Sequence, residues 1–244
     1  MPNYRLDICY DGTRYRGWQR LAGTENTIQG KLETALSRIL QEPIEVSGSG
    51  RTDGGVPAMG QVASFTCSSE MSPEEILAQL RRYLPEDIGI LSCKRAADRF
   101  HARLNAKRKT YRYRIWNSDM PCVFQRRYVA VVPEKLDMAK MEQAAHLLLG
   151  EHDFSAFCAN KHMKKSTVRR LDAIELKRVG QELQITVTGN GFLYNMVRIL
   201  VGTLVEVGQG SREASSVPLL FGAARSEAGM LMPPQGLCLM EVEY

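Results

Sequence analysis

The sequence predicts an α+β fold made of two sheet-plus-helix halves. Two observations carry this expectation. Segments that alternate apolar and polar residues with the two-residue period of a strand are interspersed with segments of helical spacing. The two kinds do not alternate strictly, which argues against a doubly wound fold and for sheets with helices packed on one face. At 244 residues the chain can form one large domain or two small ones. A loop-rich stretch around Pro121 and Pro133 marks the boundary, giving halves 1–120 and 121–244.

Tyr4 to Tyr10 reads as a strand with Leu6, Ile8 and Tyr10 on one face, and Asp11-Gly12-Thr13 turns the chain. Thr27 can cap a helix whose apolar residues are Ile28, Leu32, Ala35, Leu36, Ile39 and Leu40. Pro43 ends that helix, and Ile44 to Val46 is expected to begin a strand running into a glycine-rich turn. Gln61 to Cys67 is the returning strand. Ser72 caps a second helix with Pro73 at its first position, stopping before Leu84-Pro85. Strands are expected over Ile88 to Lys94 and Lys109 to Trp116. In the second half, Leu136 to Leu149 is helical and Gly150 to Phe154 a connection. Thr167 to Arg178 and Glu182 to Thr188 form a hairpin turning at Gly180-Gln181. The strongest helical pattern runs from about Gly191 to Val207, and Leu237 to Val242 closes with a strand.

A hydrophobic fraction of 44% and a charged fraction of 24% are those of an ordinary soluble globular protein. No stretch approaches the ~18 uninterrupted apolar residues that span a bilayer. Met1 to Arg5 leads straight into a strand pattern without the apolar core of a signal peptide, so a cytoplasmic location is expected. The six cysteines include no Cys-x-x-Cys and the four histidines no His-x-x-x-His, so neither a metal site nor a redox motif is expected.

Net charge is a modest +5, but its distribution is uneven. Lys94, Arg95, Arg99, Arg103, Lys107, Arg108, Lys109, Arg112 and Arg114 form a run opposed only by Asp98. A second cluster, Lys161, Lys164, Lys165, Arg169 and Arg170, contains no acid. Either run alone is an ordinary solvated face. Two runs, one interleaved with Tyr111 and Tyr113, point to nucleic acid, because phosphates need cations and bases need flat partners.

The stretch Ser47-Gly48-Ser49-Gly50-Arg51-Thr52-Asp53-Gly54-Gly55 stands apart, since four glycines let the backbone reach positive φ and approach a ligand closely. Three readings fit it: a phosphate-binding loop, a solvated hairpin turn, or a catalytic carboxylate. The first lacks the rest of a phosphate-loop or dinucleotide fingerprint. For the third, Asp53 is the only acid between Glu45 and Glu70, and Arg51 two residues away favours its ionised form. An ionised, partly desolvated carboxylate can serve as nucleophile or base.

Gly50-Arg51-Thr52-Asp53-Gly54-Gly55-Val56 resembles the signature turn of the tRNA pseudouridine synthase A (TruA-type) family. Further blocks follow in family order: Tyr10-Asp11-Gly12-Thr13 with Gly17-Trp18-Gln19, Thr27-Ile28-Gln29, Leu84-Pro85-Glu86-Asp87-Ile88, Phe100-His101-Ala102-Arg103 and Lys109-Thr110-Tyr111-Arg112-Tyr113. Gly150-Glu151-His152-Asp153-Phe154, Gly191-Phe192-Leu193 with Met196-Val197-Arg198, and Gly236-Leu237 complete the series, so the resemblance covers almost the whole chain.

The resemblance implies a pseudouridine synthase fold with a basic cleft between the halves, and a homodimer that holds tRNA. It implies conversion of uridine to pseudouridine in the anticodon stem-loop, at tRNA positions 38–40, without metal or cofactor. By the same resemblance Asp53 is the catalytic residue, Tyr111 packs against the target base, Arg198 pairs with the catalytic carboxylate, and Arg51 holds RNA and helps flip the base. Taken alone, Tyr111 is as readily a sheet aromatic and Arg198 a snorkelling surface arginine. Two positions depart from the family pattern. Gly54 stands where Ala is usual, and Pro57 where His is usual; proline has no N–H and fixes φ, so it cannot supply any hydrogen bond or RNA contact that the histidine makes.

Overall fold

The computed structural model describes residues 1–160 and 163–244. Lys161 of the second basic cluster and His162 lie outside the described residues. The chain forms two compact units, Met1–Lys107 with Leu239–Tyr244, and Arg108–Cys238. In chain order the elements are β1 (Asn3–Tyr10), α1 (Ile28–Leu40), β2 (Ser47–Gly48), β3 (Ala58–Thr66), α2 (Pro73–Tyr83), β4 (Ile88–Ala96) and β5 (Arg108–Trp116). There follow β6 (Ala130–Val131), α3 (Met138–Leu147), β7 (Gly150–Asp153), β8 (Val168–Val179), β9 (Glu182–Gly189), α4 (Met196–Gly208) and β10 (Leu237–Glu243). Mixed sheet plus helices make the fold α+β.

In the first unit β1 is central, antiparallel to β3 on one side and β4 on the other, with Leu6 opposite Ala63 and Cys93. β10 runs parallel to β3 at Leu239 and Ala58. The expected face of β1 is buried, and Tyr4 on that face stacks on Phe65 at 5.1 Å. Thr27 caps α1 by accepting from the Gly30 amide, and Ile28, Leu32 and Leu36 point into the core. Ser72 and Glu75 form a reciprocal capping box at α2, with Pro73 in its first turn.

Ile44 to Val46 is not the expected strand. Only Ser47 and Gly48 pair with β3. The preceding backbone is instead bound by side chains of α1: Glu33 Oε1 accepts from the Val46 amide at 3.1 Å, Gln29 Nε2 donates to the Val46 carbonyl at 3.0 Å, and Ser37 Oγ accepts from the Ile44 amide at 2.9 Å. These three backbone groups are thereby taken by side chains and not by a ladder.

In the second unit the strand order is β5-β9-β8-β7, every neighbouring pair antiparallel, with β6 parallel against the far end of β5. β8 and β9 form the expected hairpin. Gly150 to Phe154, expected as a connection, contains β7, because Gly150 to Asp153 pairs with Val168 to Leu171. The helix expected from Gly191 starts later, at Met196: Asn195 caps it in the left-handed region at φ 62°, which leaves Phe192 and Leu193 ahead of the helix. α3 is likewise shorter than the expected Leu136 to Leu149.

Candidate active site

The glycine-rich turn joins β2 to β3 and is packed closely from one side. Gly12 and Gly17 lie against its backbone: a Cβ on Gly12 would meet the Val56 carbonyl oxygen at 2.1 Å, and one on Gly17, where φ is +102°, the Thr52 carbonyl oxygen at 2.7 Å. Gly48 lies under the Trp18 ring. Main-chain bonds pin the turn further, from the Trp18 amide to the Thr52 carbonyl at 3.0 Å and from the Gly55 amide to the Tyr15 carbonyl at 3.2 Å. The Val56 amide closes back on the Asp53 carbonyl at 3.1 Å.

Side chains complete the support. Tyr10 and Thr52 share a buried hydroxyl contact of 2.8 Å. Gln61, fully buried on β3, accepts from Ser49 Oγ at 2.6 Å and donates to the Gly50 carbonyl at 3.2 Å. Thr52 is buried, Asp53 half-buried and Arg51 exposed. The turn thus turns Ser49 and Thr52 inward and leaves Arg51 exposed and Asp53 half-buried. Pro57 is buried, and its carbonyl accepts from the Leu239 amide at 3.1 Å.

Nearby, Asp87 accepts from Tyr15 Oη at 2.6 Å and from Arg14 Nη2 at 2.6 Å. Burial would raise the Asp87 carboxyl, but the bonds from Tyr15 and Arg14 outweigh it and hold its pKa below the ordinary value. Burial and the bond to Asp87 push the Tyr15 phenol up.

In the second unit, Tyr111 is buried on β5 with its ring edge-on to Phe192 at 5.1 Å and 83°. Tyr113, two residues on, is fully buried and donates to the Pro233 carbonyl at 2.7 Å. Burial raises its pKa, opposed by the charge of Arg198. Arg198 is 9% exposed, so it is no snorkelling surface arginine. Its Nε donates to the Met232 carbonyl at 2.7 Å and its Nη1 to Asn195 Oδ1 at 2.8 Å. Residue 195 stands at the N-cap position of α4 and spends its side chain on orienting the helix's arginine.

The basic run divides into two kinds of residue. Lys94, Arg95, Arg99, Arg103 and Lys107 are exposed. Arg114, by contrast, is held by Glu182 through Nε–Oε1 at 2.8 Å and Nη2–Oε2 at 2.6 Å, and Arg108 and Arg170 both bind Asp172. In the second cluster, Lys164 and Lys165 are exposed, whereas Arg169 bends back onto the Ser166 and Val168 carbonyls. Among the described residues no three His, Cys, Asp or Glu side chains cluster as metal ligands, and no helix is long and apolar enough to cross a membrane.

Sequence reasoning singled out the turn, Tyr111 and Arg198 but missed Tyr10, Gln61 and Asn195. A large amide side chain, Gln61, at the head of the expected strand and a tyrosine on the buried face of β1 were the available signals, since each needs a hydrogen-bond partner when buried.

An α+β chain with this turn is an RNA-modifying isomerase: it belongs to the tRNA pseudouridine synthase family, whose profile matches residues 8–105 and 144–244. Its relatives are more particular. It is 49% identical over 230 residues to tRNA pseudouridine synthase A of Bacillus sp. (strain KSM-64), covering 94% of each chain. It is 44% identical over 245 residues to tRNA pseudouridine synthase A 2 of Bacillus cereus (strain ZK / E33L), and 41% identical over 245 residues to that of Clostridium perfringens (strain 13 / Type A), covering all of each chain in both cases. The chain is thus an isomerase acting on tRNA uridine. Among solved structures, a Cbf5-Nop10-Gar1 complex aligns at 12% identity and a TM-score of 0.41, over 97% of this chain and 48% of that one, and adds nothing to the assignment.

Proposed function

We propose that Asp53 is the catalytic carboxylate and that the uridines it acts on lie in the anticodon stem-loop of tRNA, at positions 38–40. The observation that supports this reading most is the half-buried Asp53 beside exposed Arg51 on a turn whose other polar side chains are turned inward. Isomerisation breaks the N–C1′ bond of uridine, turns the uracil and rejoins it through C5. A stacked stem hides the target, so the nucleotide must leave the helix at a cost of a few kcal/mol. In this reading the exposed cations of the two basic runs bind phosphates and offset that cost, lining the basic cleft that the family resemblance implies. Arg51 assists flipping, Tyr111 confines the uracil during its rotation, and Arg198 keeps the carboxylate ionised. No metal or cofactor takes part. Residues 1–120 supply the catalytic turn and residues 121–244 complete the site; the protein works as a homodimer in the cytoplasm.

Pro57 bears on efficiency or target choice rather than on the chemistry, because its carbonyl still holds β10 while a histidine side chain is missing. The test is Asp53→Asn assayed on tRNA with carbodiimide mapping. Loss of pseudouridine with tRNA affinity near normal is the expected result; pseudouridine formed at the parental rate overturns the reading.

A further inference from the structure

We propose that Tyr10, backed by Gln61, is a positioning residue for the isomerisation, fixing from beneath, through its hydroxyl contact with Thr52, the angle at which the turn presents Asp53. The inference rests on the reading of Asp53 as the catalytic carboxylate. Gln61 is the hub. Its Oε1 accepts from Ser49 Oγ at 2.6 Å and its Nε2 donates to the Gly50 carbonyl at 3.2 Å, with a longer 3.4 Å approach to Tyr10 Oη. Tyr10 Oη in turn meets Thr52 Oγ1 at 2.8 Å. One amide and one phenol therefore grip Ser49, Gly50 and Thr52, the residues on the near side of Asp53.

The amide cannot rotate without cost. Gln61 Oε1 also accepts from the Val62 amide at 3.1 Å, and Gln61 is fully buried, so a broken hydrogen bond would leave a buried polar group unsatisfied. Tyr10 is equally constrained, 4% exposed with its ring tilted against Trp18 at 6.1 Å. The turn is also held by main-chain bonds from Trp18 and Gly55 that need neither side chain. Removing the side-chain grip thus leaves a formed turn free to shift by a fraction of an ångström. Catalytic groups must be held within about 0.5 Å of the productive position, and a misplacement of about 1 Å can cost on the order of a hundredfold in rate. A network of this kind acts on the chemical step and on base flipping by Arg51, whose neighbours it grips. The exposed cations elsewhere that bind phosphate keep the tRNA Kd near that of the parent.

The experiment is single-turnover pseudouridine formation on saturating tRNA with Tyr10→Phe, Thr52→Val, the double variant, Thr52→Ser and Asp53→Asn. Tyr10→Phe and Thr52→Val are expected to lower the rate about tenfold or more, with tRNA Kd within about twofold of the parent. The double variant falls no further than Tyr10→Phe alone, because Thr52→Val removes a hydrogen bond that Tyr10→Phe has already removed. Thr52→Ser restores the rate by keeping the hydroxyl. Rates unchanged per folded molecule in Tyr10→Phe and Thr52→Val, with only Tm reduced, overturn the positioning role. A Tyr10→Phe that fails to fold leaves the Thr52→Val and Thr52→Ser pair to decide the question alone. Asp53→Asn separates the two readings: activity retained there sinks the catalytic assignment itself, whereas an inactive Asp53→Asn beside a fully active Thr52→Val sinks the positioning role only.

Discussion

The Tyr10 hydroxyl lies 2.8 Å from that of Thr52, so the first strand of the chain is tied directly to the residue preceding Asp53. Gly12, two residues beyond Tyr10, repeats the tie through the backbone by passing close under Val56. The opening Tyr10-Asp11-Gly12-Thr13 and the signature turn are two halves of one packed unit.

Gly12→Ala tests this close approach. Its Cβ would overlap a main-chain oxygen at 2.1 Å, which cannot rotate away as a flexible side chain would. A loss of about 1–3 kcal/mol is expected, read from the urea midpoint. A midpoint equal to that of the parent protein would mean the two segments separate freely.

Arg198→Lys keeps the charge but not the fork that serves Met232 and Asn195 at once. Stability should fall by roughly 1–3 kcal/mol. If Arg198 has the proposed role at the carboxylate, the single-turnover rate on saturating tRNA falls as well. A normal rate in folded protein removes Arg198 from the site.

The two kinds of basic residue predict different outcomes from one substitution each. Exposed Arg103, changed to Ala, should reduce the slope of log K against log salt for tRNA by about 0.7–0.9 for each phosphate it no longer neutralises. Arg114→Ala should leave that slope alone and lower Tm instead, since its guanidinium already serves Glu182. Equal slopes in both variants would dissolve the distinction.

The same pair sets an acid dependence. The two bonds from Arg114 hold the Glu182 carboxyl below its ordinary pKa, against the effect of burial. A carboxyl depressed in the folded state adds stability that is complete above its unfolded pKa and is lost as pH falls through the folded one. Glu182→Gln should therefore lie below the parent in stability at neutral pH, with the gap closing on acidification. A gap that stays constant down to the acid transition would show that the ion pair contributes nothing pH-linked.

Much of this was legible because its causes are local. The alternation from Tyr4 to Tyr10, the Thr27 cap and the Ser72-Pro73-Glu74-Glu75 helix start depend on neighbours within a few residues, and all three appear as expected. Where partners lie far along the chain the pattern was silent. Gly150 to Asp153 becomes a strand only because β8 offers an edge, and Arg198 is buried only because the Met232 carbonyl is there to receive it. Asn195 shortened the expected helix through a backbone conformation that periodicity does not record. At the turn, the resemblance picked out the residues that face outward; Gln61 beneath them carries no motif and emerges only from its partners.

The short stretch from Ile44 to Val46 has a kinetic meaning. Because the Val46 amide is bound by Glu33 of α1 rather than by a neighbouring strand, opening of α1 exposes it to exchange with solvent deuterium. The chain leading into the candidate site therefore inherits the lifetime of a helix. Whatever frays α1 from its end near Leu40 will loosen the approach to Asp53 while the strands of the sheet are still closed.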